Sequence, residues 1–417
     1  MAGNPTPVSD DFRILHPEDY AAQGYPHSIW QKLRAEEPVS WQTQAGNALD
    51  FWAITKHQDI TEIGKRPDVF VSGPRLVISH EEERETSIPP TLIQMDPPKH
   101  GIFRQMVSRG FTPRALERIH DPIEKIGREI VEKLYAKGDT GECDFVEEIS
   151  APLPIAVIAW LLGVPEEDWG MLFDWTNRTI GAGDPDYQAE GKTPQETAQE
   201  AQLELFKYFT QLVQERRADP REDLITLFTQ CEYEGKPLSD MDVLTWCFII
   251  VIAGNETTRN GTTGGMLALI EHQEELRRVQ ADMDLLPSAV EEIVRWTTPI
   301  IHFGRTATRD YQLRDKLIRE GDALALFYPS ANRDEEIFDD PYTFRIDRRP
   351  NRHIGFGVGE HFCLGAHLAR LEMIVAYRHL LPRIEEIELA GPVDRLHSSL
   401  VGGVKRLPIR YKLRPAA

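Results

Sequence analysis

One cysteine near the carboxyl end of the chain stands where sulfur chemistry can be expected. Cys363 follows a loop that contains Gly355, Gly357 and Gly359, and an apolar helical pattern begins directly after it. Backbone N–H groups and the positive end of the dipole meet at a helix N-terminus, and both favour a thiolate over a thiol. Because glycine lets backbone lie flat, this loop could hold the sulfur against a metal ion or a planar cofactor. The alternative is a buried cysteine that only fills space.

A second group of candidates interrupts the most apolar helical stretch. Residues 243–252 are strongly apolar, which is typical of a helix buried on most faces. The pattern breaks at Ala253 and Gly254, and Glu256 and Thr257 follow. An acid and a hydroxyl inside a buried helix are costly unless they are paired or used in chemistry. The small residues would let a flat cofactor approach the backbone, and Thr257 could bond to the carbonyl of Ala253 and open the helix locally. The alternative is a polar kink satisfied by water.

Two further patterns indicate how these groups are positioned. Ser239, with Asp242 three residues later, is typical of a capped helix start, so the helix that carries Glu256 should begin there. His100 and Arg104 are four residues apart after a pair of prolines that can open a helix, and they therefore share a face. That face could bind an anion, although such a pair is most often a surface pair.

Length and composition limit the class of protein. The 417 residues contain 41% hydrophobic residues and show no linker, repeat or low-complexity tract, which favours one large domain, 1–417. The net charge of −20 argues against binding to nucleic acid or to an anionic membrane surface. The four cysteines lack C-x-x-C spacing, which argues against zinc and disulfide scaffolds and fits a reducing cytoplasm. The most apolar run, 151–164, is too short to span a bilayer.

Taken together, the motifs resemble those of the cytochrome P450 superfamily. Phe356, Gly359, Cys363 and Gly365 satisfy Phe-x-x-Gly-x-x-x-Cys-x-Gly, the haem-thiolate signature. The resemblance implies a mainly α protein with the cytochrome P450 fold, in which a large helical domain carries a small β-rich subdomain. It also implies haem b buried between the distal helix, which carries Glu256, and the cysteine-loop helix. Cys363 would then be the iron ligand.

The resemblance assigns further residues to the haem. Ala253 and Gly254 of the distal helix and Phe356 and Gly357 of the loop would lie against the cofactor. Basic side chains would hold its two propionates by charge-assisted hydrogen bonds, and these are His100, Arg104, Arg305 and His361.

A third motif would hold the cysteine loop. Glu292 and Arg295 are three residues apart, a spacing that is usually a weak surface pair. In the family this Glu-x-x-Arg pair is buried with an arginine further along the chain, which matches Arg348 here. The three residues would support the loop and take no part in the chemistry.

Glu256 and Thr257 match the family pattern Ala-Gly-x-[Asp/Glu]-Thr. The resemblance implies that Thr257 is the hydrogen-bonding alcohol and that Glu256, with access to solvent, feeds it the protons needed to cleave O2. The activity would be that of a monooxygenase, which inserts one oxygen atom into a C–H bond of a hydrophobic small molecule of terpenoid, steroid or fatty acid type. Electrons would come from a separate ferredoxin and ferredoxin reductase, for which Arg109, Arg352 and Arg370 could offer positive charge.

Three alternatives remain open at this point: a peroxide-driven haem-thiolate peroxygenase, an isomerase or dehydratase on the same haem, and a non-catalytic haem- or gas-binding protein. We expect a monomer in the cytoplasm with no nucleic acid or membrane partner. Residues 1–20 are expected to form a poorly ordered tail. A β-rich corner is expected at about 36–75, with 296–325 and 385–412, and 38–43 and 51–55 should form a hairpin.

Overall fold

The computed structural model describes residues 4–46, 48–81 and 89–415. Within these ranges the α-helices are α1 (Pro17–Gln23), α2 (His27–Glu36), α3 (His57–Gly64), α4 (Lys99–Ser108), α5 (Pro113–Glu117), α6 (His120–Lys137), α7 (Pro152–Leu162), α8 (Trp169–Ile180), α9 (Pro194–Ala218), α10 (Leu224–Thr229), α11 (Asp240–Glu271), α12 (Gln273–Ala281), α13 (Leu286–Thr297), α14 (Tyr328–Ala331) and α15 (Ala366–Leu380). The strands are β1 (Val39–Gln42), β2 (Phe51–Ile54), β3 (Phe70–Val71), β4 (Thr140–Asp144), β5 (Glu232–Tyr233), β6 (Lys236–Pro237), β7 (His302–Ala307), β8 (Tyr311–Leu313), β9 (Lys316–Ile318), β10 (Ala323–Phe327), β11 (Ile384–Leu389), β12 (Asp394–Arg395), β13 (Val404–Arg406) and β14 (Pro408–Leu413).

The chain divides into two compact units. The first, here called the β-rich unit, consists of Met1–Ile102, Glu291–Leu364 and Arg395–Gly403. The second, here called the helical unit, consists of Phe103–Val290, Gly365–Asp394 and Val404–Ala417. Each unit gathers segments that are far apart in sequence, and for that reason no linker or change of composition marks a boundary.

The β-rich unit contains a five-stranded sheet in the order β1-β2-β10-β7-β3. β1 and β2 pair antiparallel with Val39 opposite Ile54, which confirms the predicted hairpin; Asn47, in its turn, lies outside the described residues. β10 runs parallel to β2 and antiparallel to β7, and all five of its residues are buried. A central strand that is covered on both faces requires such an unbroken apolar sequence.

The segment expected to be a tail instead contributes to the core of the β-rich unit. Phe12, Leu15 and Tyr20 are buried in a cluster with Trp30 and other apolar residues, and α1 begins at Pro17. The sequence did not indicate this because the apolar residues before α1 follow neither a helical nor a strand period.

The strands near the carboxyl end do not all join the β-rich corner that the sequence suggested. β11 and β14 form a separate three-stranded sheet with β4, in the order β11-β14-β4, within the helical unit. Ile409 of β14 lies opposite Cys143 on one side and Leu389 on the other. Strand order is set by pairing between distant segments, so it cannot be predicted from local composition.

In the helical unit the longest helix is α11, with 32 residues. Ser239 accepts a hydrogen bond from the backbone N–H of Asp242 at 3.1 Å, which confirms the predicted cap. α11 packs against α7, α8 and α9. None of the helices in the described ranges has the length and apolar character that crossing a membrane requires.

A buried charge network lies inside the β-rich unit. Glu292 accepts two hydrogen bonds from Arg295, both at 2.7 Å, and one from Arg348 at 3.0 Å. The backbone N–H of Arg345 adds another at 3.0 Å. Burial acts to raise the pKa of Glu292, but Arg295 and Arg348 outweigh it and hold the pKa below its usual value. The predicted network of Glu292, Arg295 and Arg348 is confirmed.

Replacing Glu292 with Gln should lower the free energy of unfolding by about 3–5 kcal/mol, because two buried guanidinium groups lose their counter-charge. The matched control is Arg309→Gln, since Arg309 and Asp68 form a pair whose side chains are 59% and 64% exposed. That change should cost less than about 1 kcal/mol. Urea unfolding followed by circular dichroism measures both.

The stabilities of wild type and Glu292→Gln can also be compared as a function of pH. A carboxyl with a lowered pKa stabilises the fold above the pKa of the unfolded chain, about 4.3 for Glu. The difference between wild type and Glu292→Gln should therefore be complete at neutral pH and shrink as the pH falls below that value. A difference that stayed constant down to acid pH would contradict the assignment of a charged Glu292.

Candidate active site

The cysteine loop is folded by its own backbone hydrogen bonds. The N–H of Cys363 donates to the carbonyl of Phe356 at 2.8 Å, and the N–H of Phe362 donates to the carbonyl of Gly359 at 3.1 Å. The Cys363 side chain is partly exposed. α15 begins at Ala366, three residues after the cysteine, so the sulfur precedes the first turn of a 15-residue helix.

Gly357 and Gly359 of this loop are required for different physical reasons. Gly359 has φ +76°, and a Cβ there would lie 1.9 Å from the carbonyl oxygen of Gly64. Gly357 has φ +74°, but its Cβ would meet nothing closer than 3.5 Å. Both residues need a backbone conformation that favours glycine, whereas only Gly359 also needs the missing side chain for close packing.

The structure brings two of the predicted propionate-binding residues together in the β-rich unit. The rings of His100 and His361 are stacked, with centroids 4.1 Å apart and an interplanar angle of 27°. Nε2 of His361 lies 3.1 Å from Oγ of Ser72, and Nδ1 of His100 lies 3.7 Å from Oε2 of Glu360. Two adjacent imidazoles can both be positively charged only if an anion offsets their repulsion. The pair therefore suits a carboxylate ligand.

The other two basic residues lie on regular elements. Arg305 lies in β7, is only 4% exposed, and donates to the carbonyl of Gly304 at 2.7 Å. Arg104 lies on α4, one turn after His100. A buried guanidinium with five donors requires several acceptors, and a carboxylate accepts two of its N–H groups at once.

In the helical unit, the middle of α11 presents an open stretch of its surface. Val251 and Thr258 are buried, whereas Ala253 is exposed and Thr257 is partly exposed. The hydroxyl of Thr257 donates to the carbonyl of Ala253 at 2.8 Å, as predicted. The expected local opening of the helix does not occur, because α11 continues unbroken to Glu271.

Gly254 also packs against a neighbouring helix, a contact that the sequence did not reveal. A Cβ at this position would lie 2.5 Å from Cδ1 of Ile158, on α7. Gly254 therefore lets α7 pack closely on α11. Ala253 is exposed, whereas Gly254 is partly exposed.

Glu256 differs from the expected acid with access to solvent. It is 1% exposed, and its Oε2 accepts a hydrogen bond from Arg259 at 2.5 Å. Arg259 also donates to Oδ1 of Asn177, on α8, at 2.9 Å. Burial raises the pKa of Glu256, although Arg259 acts in the opposite direction.

Arg259 and Asn177 were missed in the sequence. A signal for Arg259 was present, because Glu256 and Arg259 repeat the Glu-x-x-Arg spacing of Glu292 and Arg295. Asn177 gave none, since 82 residues separate it from Arg259.

The residues present fit a haem. One sulfur lies at a glycine-rich loop, and the buried His100 and Arg305 supply groups that bind carboxylates. A cysteine sulfur together with groups that bind carboxylates is the donor set that a thiolate-ligated haem requires.

The loop glycines give a direct test. Gly359→Ala should reduce the free energy of unfolding by more than Gly357→Ala, because the first change adds a collision with backbone to the cost of a left-handed conformation. The conformational part alone is about 1–2 kcal/mol. Gly365→Ala is the control, since its Cβ would meet nothing within 4 Å and its φ is −87°. Equal losses for all three variants in urea unfolding would contradict this account of the loop.

Comparison with known proteins identifies the family. The sequence profile of Cytochrome P450 matches residues 185–413. A methyl-branched lipid omega-hydroxylase of Mycobacterium tuberculosis (strain ATCC 25618 / H37Rv) is 37% identical over 388 residues, which cover 91% of this chain and 89% of that protein. A steroid C26-monooxygenase of the same strain is 37% identical over 417 residues, covering 96% and 92%.

A solved structure supports the same conclusion. A cytochrome P450 of Mycobacterium marinum in complex with pseudoionone superposes with a TM-score of 0.88 at 33% identity, covering 97% of this chain and 100% of that one. The predicted fold, a large helical domain with a small β-rich subdomain, is confirmed. The chain belongs to the cytochrome P450 family and is a haem-thiolate monooxygenase of bacterial type.

Proposed function

We propose that the protein hydroxylates a saturated carbon of a lipid or steroid, using O2, two electrons and two protons. One oxygen atom enters the C–H bond and the other leaves as water, so the reaction consumes both protons. The observation that carries this proposal is the acid–alcohol pair of Glu256 and Thr257 at the open stretch of α11. A peroxide-driven enzyme receives its oxygen already reduced and has no need of such a pair.

Cys363 is the iron ligand in this proposal, and the cofactor is haem b. When bound, the haem supplies the oxygen-activating chemistry. His100, Arg104, Arg305 and His361 bind its two carboxylates, and their positive charge offsets the carboxylate charge in a site that excludes water. Phe356 and Gly357 shape the loop on the sulfur side.

Thr257 and Glu256 move the protons. The hydroxyl of Thr257 now donates to the carbonyl of Ala253. It can exchange that bond for one to a reacting oxygen, because a threonine hydroxyl rotates about a single bond. Glu256 is the proton source behind it, and its raised pKa suits an acid that must be protonated near neutral pH.

The substrate is proposed to be a long, apolar molecule that carries an alkyl chain. Two relatives are named for a methyl-branched lipid and a steroid, and the structural neighbour was solved with pseudoionone. The partly exposed Ile252 beside Ala253 adds apolar surface on α11. We infer that the oxidised carbon lies at the end of the alkyl chain, because one relative is an omega-hydroxylase and C26 belongs to a steroid side chain.

Electrons are proposed to come from a separate ferredoxin and its reductase. Arg109 and Arg352 are exposed, and Arg370 is partly exposed, on a protein whose net charge is −20. Exposed arginines on an acidic protein can select an acidic partner and speed its association. We further propose that the protein works as a cytoplasmic monomer.

The substrate class can be tested by titrating the ferric holoenzyme with 15-methylhexadecanoic acid and with cholest-4-en-3-one. A ligand that enters the site displaces water from the iron and changes the visible absorption spectrum. We expect a saturable spectral change with at least one of the two. If neither produces a change while small aromatic compounds do, the proposed alkyl substrate is wrong.

The role of Thr257 is tested by Thr257→Ala with a surrogate ferredoxin and reductase. General acid–base catalysis contributes about 10²-fold or more, so hydroxylation should fall by about that factor while NADPH is still consumed and hydrogen peroxide is released. Thr262→Ala is the matched control, because Thr262 makes the same 2.8 Å bond to the carbonyl four residues back. Unchanged hydroxylation by Thr257→Ala would contradict the proposed role of Thr257 in proton delivery.

A further inference from the structure

The proton source proposed above raises a physical problem. Glu256 is 1% exposed, yet an acid that delivers protons in every cycle must be reprotonated from solvent. Its Oε1 accepts no hydrogen bond from the described residues, so one oxygen remains available. Its Oε2 is bonded to Arg259, which is itself 1% exposed. On the side of Oε2, a connection from this carboxyl to water therefore passes Arg259.

Those surroundings open toward solvent. An open cavity of about 1710 Å³ in the helical unit is lined in part by Phe173, Asn177, Asp186, Tyr187, Arg259 and Lys405. The Arg259 guanidinium lies 5.7 Å from the centre of the Phe173 ring. Arg259 is thus in contact with the carboxylate and also forms part of the wall of a cavity that admits water.

Asn177 determines where Arg259 lies. It belongs to the last turn of α8 and is 7% exposed, and its Oδ1 accepts from Arg259 at 2.9 Å. A long arginine side chain has many rotamers, and a second anchor selects among them. The position of α8 is therefore transmitted to Arg259 and from there to Glu256.

The segment after α8 is fixed by ion pairs. Lys405 is 8% exposed and lies 2.8 Å from Asp184 and 3.0 Å from Asp186. Tyr187, three residues beyond Asp184, interacts electrostatically with both Arg259 and Glu256. The titratable groups that act on Glu256 are thus Arg259 on its own helix and Tyr187 on the segment after α8.

We propose that Arg259 is a positioning residue for Glu256, that its guanidinium binds the cavity water that reprotonates this carboxyl, and that Asn177 makes this arrangement depend on α8. The inference rests on the proposed role of Glu256 as the proton source. It adds two residues that contact neither substrate nor cofactor in this account, and a route by which protons arrive.

The first test measures the carboxyl itself. Infrared spectra of the ferric holoenzyme are recorded against pH, and the Glu256 acid band is identified by its loss in Glu256→Gln. In Arg259→Met the band should titrate about one pH unit higher, because a charge-assisted bond to the ionised form is lost. Asn177→Ala should shift the titration in the same direction by less.

A matched control separates this effect from general loosening of α8. Arg178, the neighbour of Asn177, lies 2.6 Å from Glu204 on α9 and does not bond to Arg259. Arg178→Ala should leave the Glu256 titration unchanged. If Asn177→Ala and Arg178→Ala gave the same titration as wild type, the coupling of α8 to Glu256 would be refuted.

The second test follows protons during turnover, with 15-methylhexadecanoic acid or cholest-4-en-3-one, whichever changes the spectrum. Asn177→Ala should raise the solvent deuterium isotope effect and the peroxide-to-product ratio, whereas Arg178→Ala should change neither. Arg259→Lys should rescue part of the loss in Arg259→Met. A loss of thermal stability in the Arg259 variants without any change in the isotope effect would make Arg259 merely structural and overturn the proposal.

The role of Glu256 as the proton source and the positioning role of Arg259 can be refuted separately. If Glu256→Gln leaves hydroxylation and peroxide release unchanged, Glu256 is not the proton source and the proposed function is wrong in that respect. The infrared titration would still show whether Arg259 and Asn177 position the carboxyl, because it needs no turnover.

Discussion

A charge removed from water needs a partner, and the number of partners determines what each buried acid of this protein can do. Glu292 and Glu256 both begin a Glu-x-x-Arg sequence on a helix, and both are almost fully buried. Glu292 has two arginines, a backbone N–H and the side-chain amide of Asn351, and its pKa lies below the usual value. Glu256 has one arginine, and its pKa lies above the usual value. The first carboxyl therefore stays ionised and structural, whereas the second can carry a proton.

This contrast explains why one spacing appears twice with different consequences. An i, i+3 pair on a helix brings acid and base within reach but does not supply further partners. For Glu292 the extra partner, Arg348, comes from a segment 56 residues away. For Glu256 the further contact is made by Arg259 to Asn177 and leaves the carboxyl with a single cation. The difference in chemistry thus comes from tertiary contacts.

The parts of the site that depend on local spacing could be predicted from the sequence. The bond from Thr257 to Ala253 and the cap at Ser239 each join residues within four positions. The cysteine motif was recognisable because its glycines and sulfur lie within one loop. Asn177 and the pairing of β4 with β14 could not be predicted, because they join segments that are 82 or more residues apart and no local period records them.

The small residues of α11 also show what a sequence alone cannot predict. Ala253 and Gly254 are adjacent and were both assigned to the approach of a flat cofactor. A Cβ at Gly254 would lie 2.5 Å from Cδ1 of Ile158 on α7, so helix packing also favours a small residue there. Ala253 is exposed, and Gly254 is partly exposed. A sequence shows that a residue is small but cannot say whether a helix or a ligand requires it.

Proton delivery requires two properties that oppose each other. Burial raises the pKa of an acid toward neutrality, where proton transfer is most effective, but it also removes the acid from the water that must recharge it. A neighbouring arginine resolves the conflict if it contacts both the acid and a cavity that admits water. Arg259 limits the rise in the pKa of Glu256 and at the same time reaches an open cavity. Asn177 accepts a hydrogen bond from the other side of the guanidinium, so the position of Arg259 depends on α8. Neither Glu256 nor Thr257 lies on that helix.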